Sequence, residues 1–339
     1  MQPFARRAAV ALSSAALCAA AHAGTVPTYH IVDLGAGYAP AAINAAGVIV
    51  GTFTPEIGGA TSMRYADGAW TAVASLPGLA VAARSINASG AMAGRGVDTR
   101  TGTAVAVAWS AAGVPAVIMP ASMGTSAAIG IDDAGDAAIE ITSTGPEQAY
   151  TWTASTGALT RLAAPLGGGE LLVDAMNGKG RMAARALDAN LDWQMVRGTA
   201  AGWRTIGSLT PGGSTVASGM NDAGHIACTD YATTGLAHAC WYDGTILHDL
   251  TPATMAQAVA YGINASDEIV GDGVDAAWID YAMLWKDGKP HRLFSRLRDT
   301  TDWSALNSAT GINDAGQIIG TGTFRDGKTH AFLLNPVRH

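Results

Sequence analysis

The chain has 339 residues, of which 49% are hydrophobic and 14% charged, with a formal net charge of −7 at neutral pH. That acidic balance argues against nucleic acid as a partner, because phosphate contacts demand a basic face. The length suits one large domain with a continuous core.

Residues 1–23 have the make-up of a secretory signal. Arg6 and Arg7 form a basic start, Ala8 to Ala20 a short apolar run, and Ala21-His22-Ala23 an A-x-A cleavage site. Cleavage after Ala23 removes two arginines and no acid, so the mature net charge is −9. No later segment is long and apolar enough to span a bilayer. The expectation is an exported, soluble monomer, secreted or periplasmic, whose mature residues 24–339 form a single domain.

The mature chain opens with Tyr29-His30-Ile31-Val32-Asp33-Leu34, an apolar-rich strand pattern. Seven copies of one short motif follow, each a large aliphatic residue, Asn or Asp, two small or polar residues and then Gly. They begin at Ile43, Ile86, Ile131, Met176, Met220, Ile263 and Ile312, and only the sixth replaces Gly, with Asp267. The Asn/Asp positions 44, 87, 132, 177, 221, 264 and 313 are 43, 45, 45, 44, 43 and 49 residues apart, a period of repeat architectures. The motif reads as a tight hairpin: Asn or Asp bonds its own backbone two residues on, and Gly supplies a left-handed conformation. Two residues before each Asn/Asp stands a small residue, namely Ala42, Ser85, Gly130, Ala175, Gly219, Gly262 and Gly311. Small side chains there imply an inner strand crowded by its neighbours.

After each turn come a second apolar strand, a variable loop, a third segment ending in a bulky residue (Tyr65, Trp109, Trp152, Trp241, Trp285 or Leu334), and a fourth strand such as Thr245 to Leu250. The fourth repeat, around Gln194 to Gly202, is the least regular. Four strands in about 45 residues describe a blade, so an all-β, seven-bladed β-propeller is expected. The last repeat stops after its third strand, so the N-terminal strand is expected to complete that blade and remove an exposed edge.

The runs Gly311-Ile312-Asn313-Asp314-Ala315-Gly316-Gln317-Ile318-Ile319-Gly320 and His330-Ala331-Phe332-Leu333 resemble the HAF family of bacterial extracellular repeat proteins. The resemblance covers essentially the whole mature chain and implies export and a repeat-built architecture. It carries no activity and no catalytic residue to this sequence.

Two cysteines remain after the signal, Cys228 and Cys240, on adjacent strands of one blade, and a disulfide between them is expected. The competing reading joins His225, Cys228, His238 and Cys240 in a metal site. Against it, His225 and Cys228 point to opposite faces of a strand and His238 is a repeat residue. No metal or cofactor is expected. Hydrolase signatures such as G-x-S-x-G or H-E-x-x-H are absent.

Propeller topology places the inter-blade links and the loops between second and third strands on one rim. That rim collects acids and aromatics: Asp188, Asp192 and Trp193; Asp230 and Tyr231; Asp272, Asp275, Trp278 and Asp280; Asp299, Asp302 and Trp303. Aromatics beside carboxylates suit a sugar ring or a cationic group, whereas a structural reading makes the aspartates turn formers and the tryptophans plugs between blades. The first reading makes the protein a binding propeller for an extracellular glycan, protein or peptide, or a cation. The alternatives are a glycan-cleaving enzyme using paired rim carboxylates and a purely structural surface protein. The longest inter-blade link is read as Phe294 to Ala309, which centres the expected site on the last three blades.

Overall fold

The computed structural model describes residues 26–142, 145–300 and 302–337; the signal-like residues 1–23 lie outside them. Seven four-stranded antiparallel sheets are arranged as the blades of a propeller. The innermost strands are Tyr38–Ile43, Leu79–Ile86, Thr125–Ile131, Gly167–Met176, Ser214–Met220, Met255–Ile263 and Trp303–Ile312, and each packs beside the next around a central axis. The irregular fourth repeat is a full blade, with strands Gly167–Met176, Met182–Asp188, Trp193–Thr199 and Gly202–Gly207.

The N-terminal strand Tyr29–Ala36 lies in the last blade, outermost beside Thr329–Pro336, with Ile31 opposite Leu334 and Val32 opposite Leu333. The His-Ala-Phe run acquires a physical role there. His330 is buried, its Nδ1 stands 2.9 Å from Asp33 of the N-terminal strand, and its ring stacks on Phe324. Ala331 and Phe332 are fully buried. First and last segments of the chain are therefore joined by a strand ladder, a polar contact and core packing together.

The repeated Asn does two jobs. Its Oδ1 accepts from the amide four residues on and, at four of the six Asn positions, also from the amide two on, as Asn44 does from Val48 and Ala46 and Asn313 from Gln317 and Ala315. Its Nδ2 donates across the blade boundary to the main-chain carbonyl of the next repeated position. Asn44 donates to Asn87, Asn87 to Asp132, Asn177 to Asn221, Asn221 to Asn264, Asn264 to Asn313 and Asn313 back to Asn44, at 2.7–3.3 Å. Six of seven boundaries carry this bond. The seventh fails at Asp132, whose carboxylate clamps its own turn through Ala134 and Asp136 but has no amide hydrogen to give.

Crowding at the small positions is real. A Cβ on Gly130 would lie 2.6 Å from Met176 Cβ, and one on Gly262 3.3 Å from the Cα of Gly311. Bulky aromatics fasten blades farther out: Trp109 and Trp285 are buried, and their indole N–H groups donate to the carbonyls of Ala74 and Leu250 in the preceding blade or its link. Cys228 and Cys240 stand directly opposite in adjacent strands and are joined as a disulfide.

One boundary in the sequence reading shifts. Residues 303–309 belong to the inner strand Trp303–Ile312, so the last inter-blade link ends before Trp303 and contains a 3₁₀ turn at Leu293–Arg296.

The missing seventh bond generates a test. Asp132→Asn supplies the absent donor toward the Asn177 carbonyl and removes a carboxyl that burial pushes above its usual range. Its expected effect is a gain of about 1 kcal/mol, one net hydrogen bond, read from urea denaturation at neutral pH. Asn221→Ala, which strips an existing clamp, is expected to lose about 2–3 kcal/mol.

Candidate functional site

Two surfaces on the propeller carry chemistry, the loop rim and the central channel. On the rim, hairpins between second and third strands share one geometry. A residue in the left-handed conformation donates its N–H back to the carbonyl three residues earlier: Leu191 to Asp188, Gly235 to Ala232, Trp278 to Asp275 and Gly327 to Phe324. Glycine is the unstrained choice at such a position, and blades five and seven use it. Blades four and six instead place Leu191 (φ 67°) and Trp278 (φ 60°) there, 71% and 68% exposed. A bulky side chain held in that conformation costs on the order of 1–2 kcal/mol and gains no burial here. Ile279, Leu236 and Tyr231 are also exposed, so blades four to six carry an apolar series on their loop tips.

The expected rim residues do not form one cluster. Trp193 is half-buried, with the Arg185 guanidinium 5.7 Å from its ring centroid. Asp275 is engaged in its own turn, its Oδ1 accepting from Ala277 and Ile279 and its Oδ2 from the Tyr281 hydroxyl, and these bonds, the Tyr281 one first, hold its carboxyl below the usual range. Asp302 is paired with Arg325 at 2.6 Å. Asp299 is exposed on the last link. Asp230 is fully buried and structural, accepting from Thr210 and Thr215 at the boundary of blades four and five.

Trp303 is a correction. It is 6% exposed and packs edge-on against Phe324, His330 and Phe332, because the first residue of this inner strand turns into the blade's own core. It is a plug, and no solvent-facing ligand reaches it.

What does converge is Tyr231, Tyr261, Asp272 and Asp280, on blades five and six. Asp272 accepts from the Ala309 amide of blade seven and from the hydroxyls of Ser308 and Tyr261; burial nonetheless pushes its carboxyl up to about 6, with the Asp280 charge adding to the rise. Burial and the Asp272 bond likewise raise the Tyr261 phenol, with the charges of Tyr231 and Asp280 contributing.

Inside the channel the sequence reading missed a feature. Every inner strand carries a β-bulge three residues before its Asn/Asp, where the ladder skips one residue. The skipped residues are Ala41, Arg84, Ile129, Asp174, Ser218, Tyr261 and Thr310, and all seven line an axial cavity of about 380 Å³. A bulge re-aims a side chain, here toward the axis. Counting three back from each Asn would have found them, since this position varies chemically while its neighbours stay constant.

A charged group surrounds the channel at blades two to four. Asp174 is held by Arg185 through Nε and Nη2 at 2.9–3.1 Å and is pushed up to about 6 by burial, against the pull of that guanidinium. Glu140 rises to about 7, mainly by burial and then by the Asp174 charge. Among the described residues, no group of three or more His, Cys, Asp or Glu stands close enough to hold a metal ion, and no helix is long and apolar enough to cross a membrane.

No family model matches the chain, and no curated protein is significantly similar to it. Solved structures share its fold. It is similar to the β-propeller domain of the Trilobed protease from Pyrococcus furiosus, at 8% identity over 91% of this chain and 94% of that one, TM-score 0.59. It is similar to the BP39L lectin from Burkholderia pseudomallei, at 12% identity over 90% and 99% of the two chains, TM-score 0.51. It also matches a puromycin-hydrolyzing peptidase of Mycobacterium tuberculosis, at 13% identity and TM-score 0.56, covering 93% of this chain but 56% of the peptidase. It spans 53% of the length of TolB from Acinetobacter baumannii. At these identities the likeness is one of fold.

The raised carboxyls set a pH dependence. An acid whose pKa is higher folded than unfolded keeps its proton longer in the folded state, so stability falls as pH rises from the ordinary carboxylate range to the folded value. Glu140, Asp174 and Asp272 act this way up to about pH 7. His291, lowered by burial and by Arg296, opposes them below its ordinary value near 6.5. Because these raised carboxyls outnumber His291, the melting temperature is expected to fall by several degrees from pH 5.5 to pH 8. Glu140→Gln is expected to remove most of the drop between pH 6 and 8. A flat profile for the parent protein contradicts the assignment.

Proposed function

We propose that the protein is an exported binding propeller that takes a neutral glycan on the loop rim of blades four to six, with Trp278 as the anchoring ring. The observation that carries this reading is Trp278 itself: a tryptophan at a left-handed position that glycine fills in other blades, two-thirds exposed. Strain and exposure are both costs to folding, and residues kept at such cost cluster at functional sites. A flat ring exposed on a loop tip is suited to the face of a sugar. Asp280, exposed two residues on, supplies an acceptor for hydroxyls. The chain's acidic balance disfavours anionic ligands. That a lectin shares the fold supports the ligand class.

The signal-like residues 1–23, with a cleavage site after Ala23, support export, and the Cys228–Cys240 disulfide supports an oxidising compartment. The repeat motif and the His-Ala-Phe run support placing the chain with the HAF repeat proteins.

Trp278→Gly separates function from folding, because glycine relieves the backbone and removes the ring. The mature protein and this variant are compared on immobilised neutral oligosaccharides of glucose, xylose, mannose and galactose. The expected result is retention of the parent by at least one of these sugars, at least tenfold weaker retention of the variant, and an unchanged or higher melting temperature for the variant. Equal retention of both proteins, or none of the parent, overturns the reading.

A further inference from the structure

The axial channel is a second surface, on the opposite side of the blades from the rim loops and independent of Trp278. Its mouth is formed by the residues following the repeated Asn/Asp, which include exposed Asp133, Asp222 and Asp314. Farther in stand the seven bulge residues. Most of their polar groups are already engaged: Asp174 with Arg185, Tyr261 with Asp272, and the Thr310 hydroxyl with the carbonyl of Pro40. Two are not. Neither the Arg84 guanidinium nor the Ser218 hydroxyl, three blades apart around the ring, has a hydrogen bond or ion pair among the described residues. Partial burial and then the like charge of Arg95 lower the Arg84 pKa, and the Glu140 charge opposes them. A guanidinium presents five donors in a fork that matches a carboxylate. Here that residue lines the open axial cavity, exposed and with no partner among the described residues.

The mouth has the opposite character. A Cβ on Gly178 would lie 2.7 Å from an Asp133 oxygen and 3.4 Å from an Asp222 oxygen, so the two carboxylates converge over the one repeat that carries glycine there. One Asp133 oxygen accepts from the Ala88 amide, and Lys179 stands 3.7 Å from Asp222. Asp133 thus keeps acceptor capacity facing the opening. The channel therefore presents an anionic mouth and, four residues back along the chain, a cationic fork. Four residues of chain, two of them in the turn, span at most about 13 Å.

We propose that the channel binds a short zwitterionic peptide of about three residues, its terminal carboxylate on Arg84 and its terminal ammonium at Asp133 and Asp222. An extended tripeptide spans about 10 Å, which fits between the two charged levels, and a volume of about 380 Å³ lies within the range of small-molecule sites. Ile129, the Tyr261 ring and the Ser218 hydroxyl border the cavity at the level of Arg84, where they are available to the inner end of the peptide. Phosphate and other polyanions are disfavoured by the aspartates they must pass.

Calorimetry with trialanine, trialanine amide and N-acetyl-trialanine on the mature wild-type protein tests this without any substitution. The expected result is saturable one-to-one binding of trialanine, with at least tenfold weaker binding of the amide, which lacks the carboxylate, and of the acetylated peptide, which lacks the ammonium. Arg84→Met is expected to lose trialanine binding at least tenfold at an unchanged melting temperature, while Trp278→Gly leaves it unaltered. No binding of trialanine at millimolar concentration, or equal binding of the amide, overturns the proposal. So does equal binding of inorganic phosphate, which marks a general anion site.

Discussion

The asparagine side chain that repeats every 43 to 49 residues is the interaction on which the ring depends. It is short enough to clamp its own turn with one oxygen and still reach the next blade with its amide nitrogen. Buried amides and carbonyls that lack partners cost about 1–3 kcal/mol each, so one residue type at one position settles two requirements together: a closed hairpin and a fixed distance between blades. Asp meets only the first. That is why Asp132 leaves its boundary with blade four without the bond, although the neighbouring Asp133 amide donates to the Gly178 carbonyl there. Closure then needs the ring to end where it began, which the N-terminal strand and the Asp33–His330 contact accomplish.

Much of this was legible in the sequence because the constraints act in every blade. Any residue serving the same contact seven times leaves a period, and the turn glycines, the small positions such as Gly262 and the bulky ends such as Trp285 all do so. The disulfide was legible because Cys228 and Cys240 fall on neighbouring strands of one hairpin. The lateral bond from each Asn was not, since it depends on how closely blades approach and leaves no mark beyond the Asn itself. Trp303 misled for a related reason. Its aspartate-rich surroundings read as loop, while a strand extended by bulges carries it into the core.

The recognition surfaces were harder to read, since they lie where the repeat imposes nothing. At the bulge position the backbone geometry is common to all blades, but the side chain borders the axial cavity and the repeat fixes no residue type there. Ala41, Arg84, Ile129, Asp174, Ser218, Tyr261 and Thr310 accordingly share no chemistry. At the hairpin tips glycine is the low-energy choice, so Leu191 and Trp278 stand out only once the backbone conformation is known. Trp278 was picked out from the sequence as an aromatic beside acids; its left-handed conformation and its exposure are what separate it from Trp303. A constant scaffold ring with variable axial and rim residues is a division of labour common in repeat folds.

Native-state hydrogen exchange on Asn313→Ala addresses the central claim, that the asparagine ring couples blades rather than merely closing turns. Asn313 accepts from Ala315 and Gln317 within its own turn and donates to Asn44 across the closing boundary. The account predicts that protection falls at Ala315 and Gln317 and also across that boundary, at the amides of Asn44 and Gly47 and in the N-terminal strand Tyr29–Ala36. Loss of protection confined to Ala315 and Gln317, with the first blade and the N-terminal strand unchanged, would contradict it.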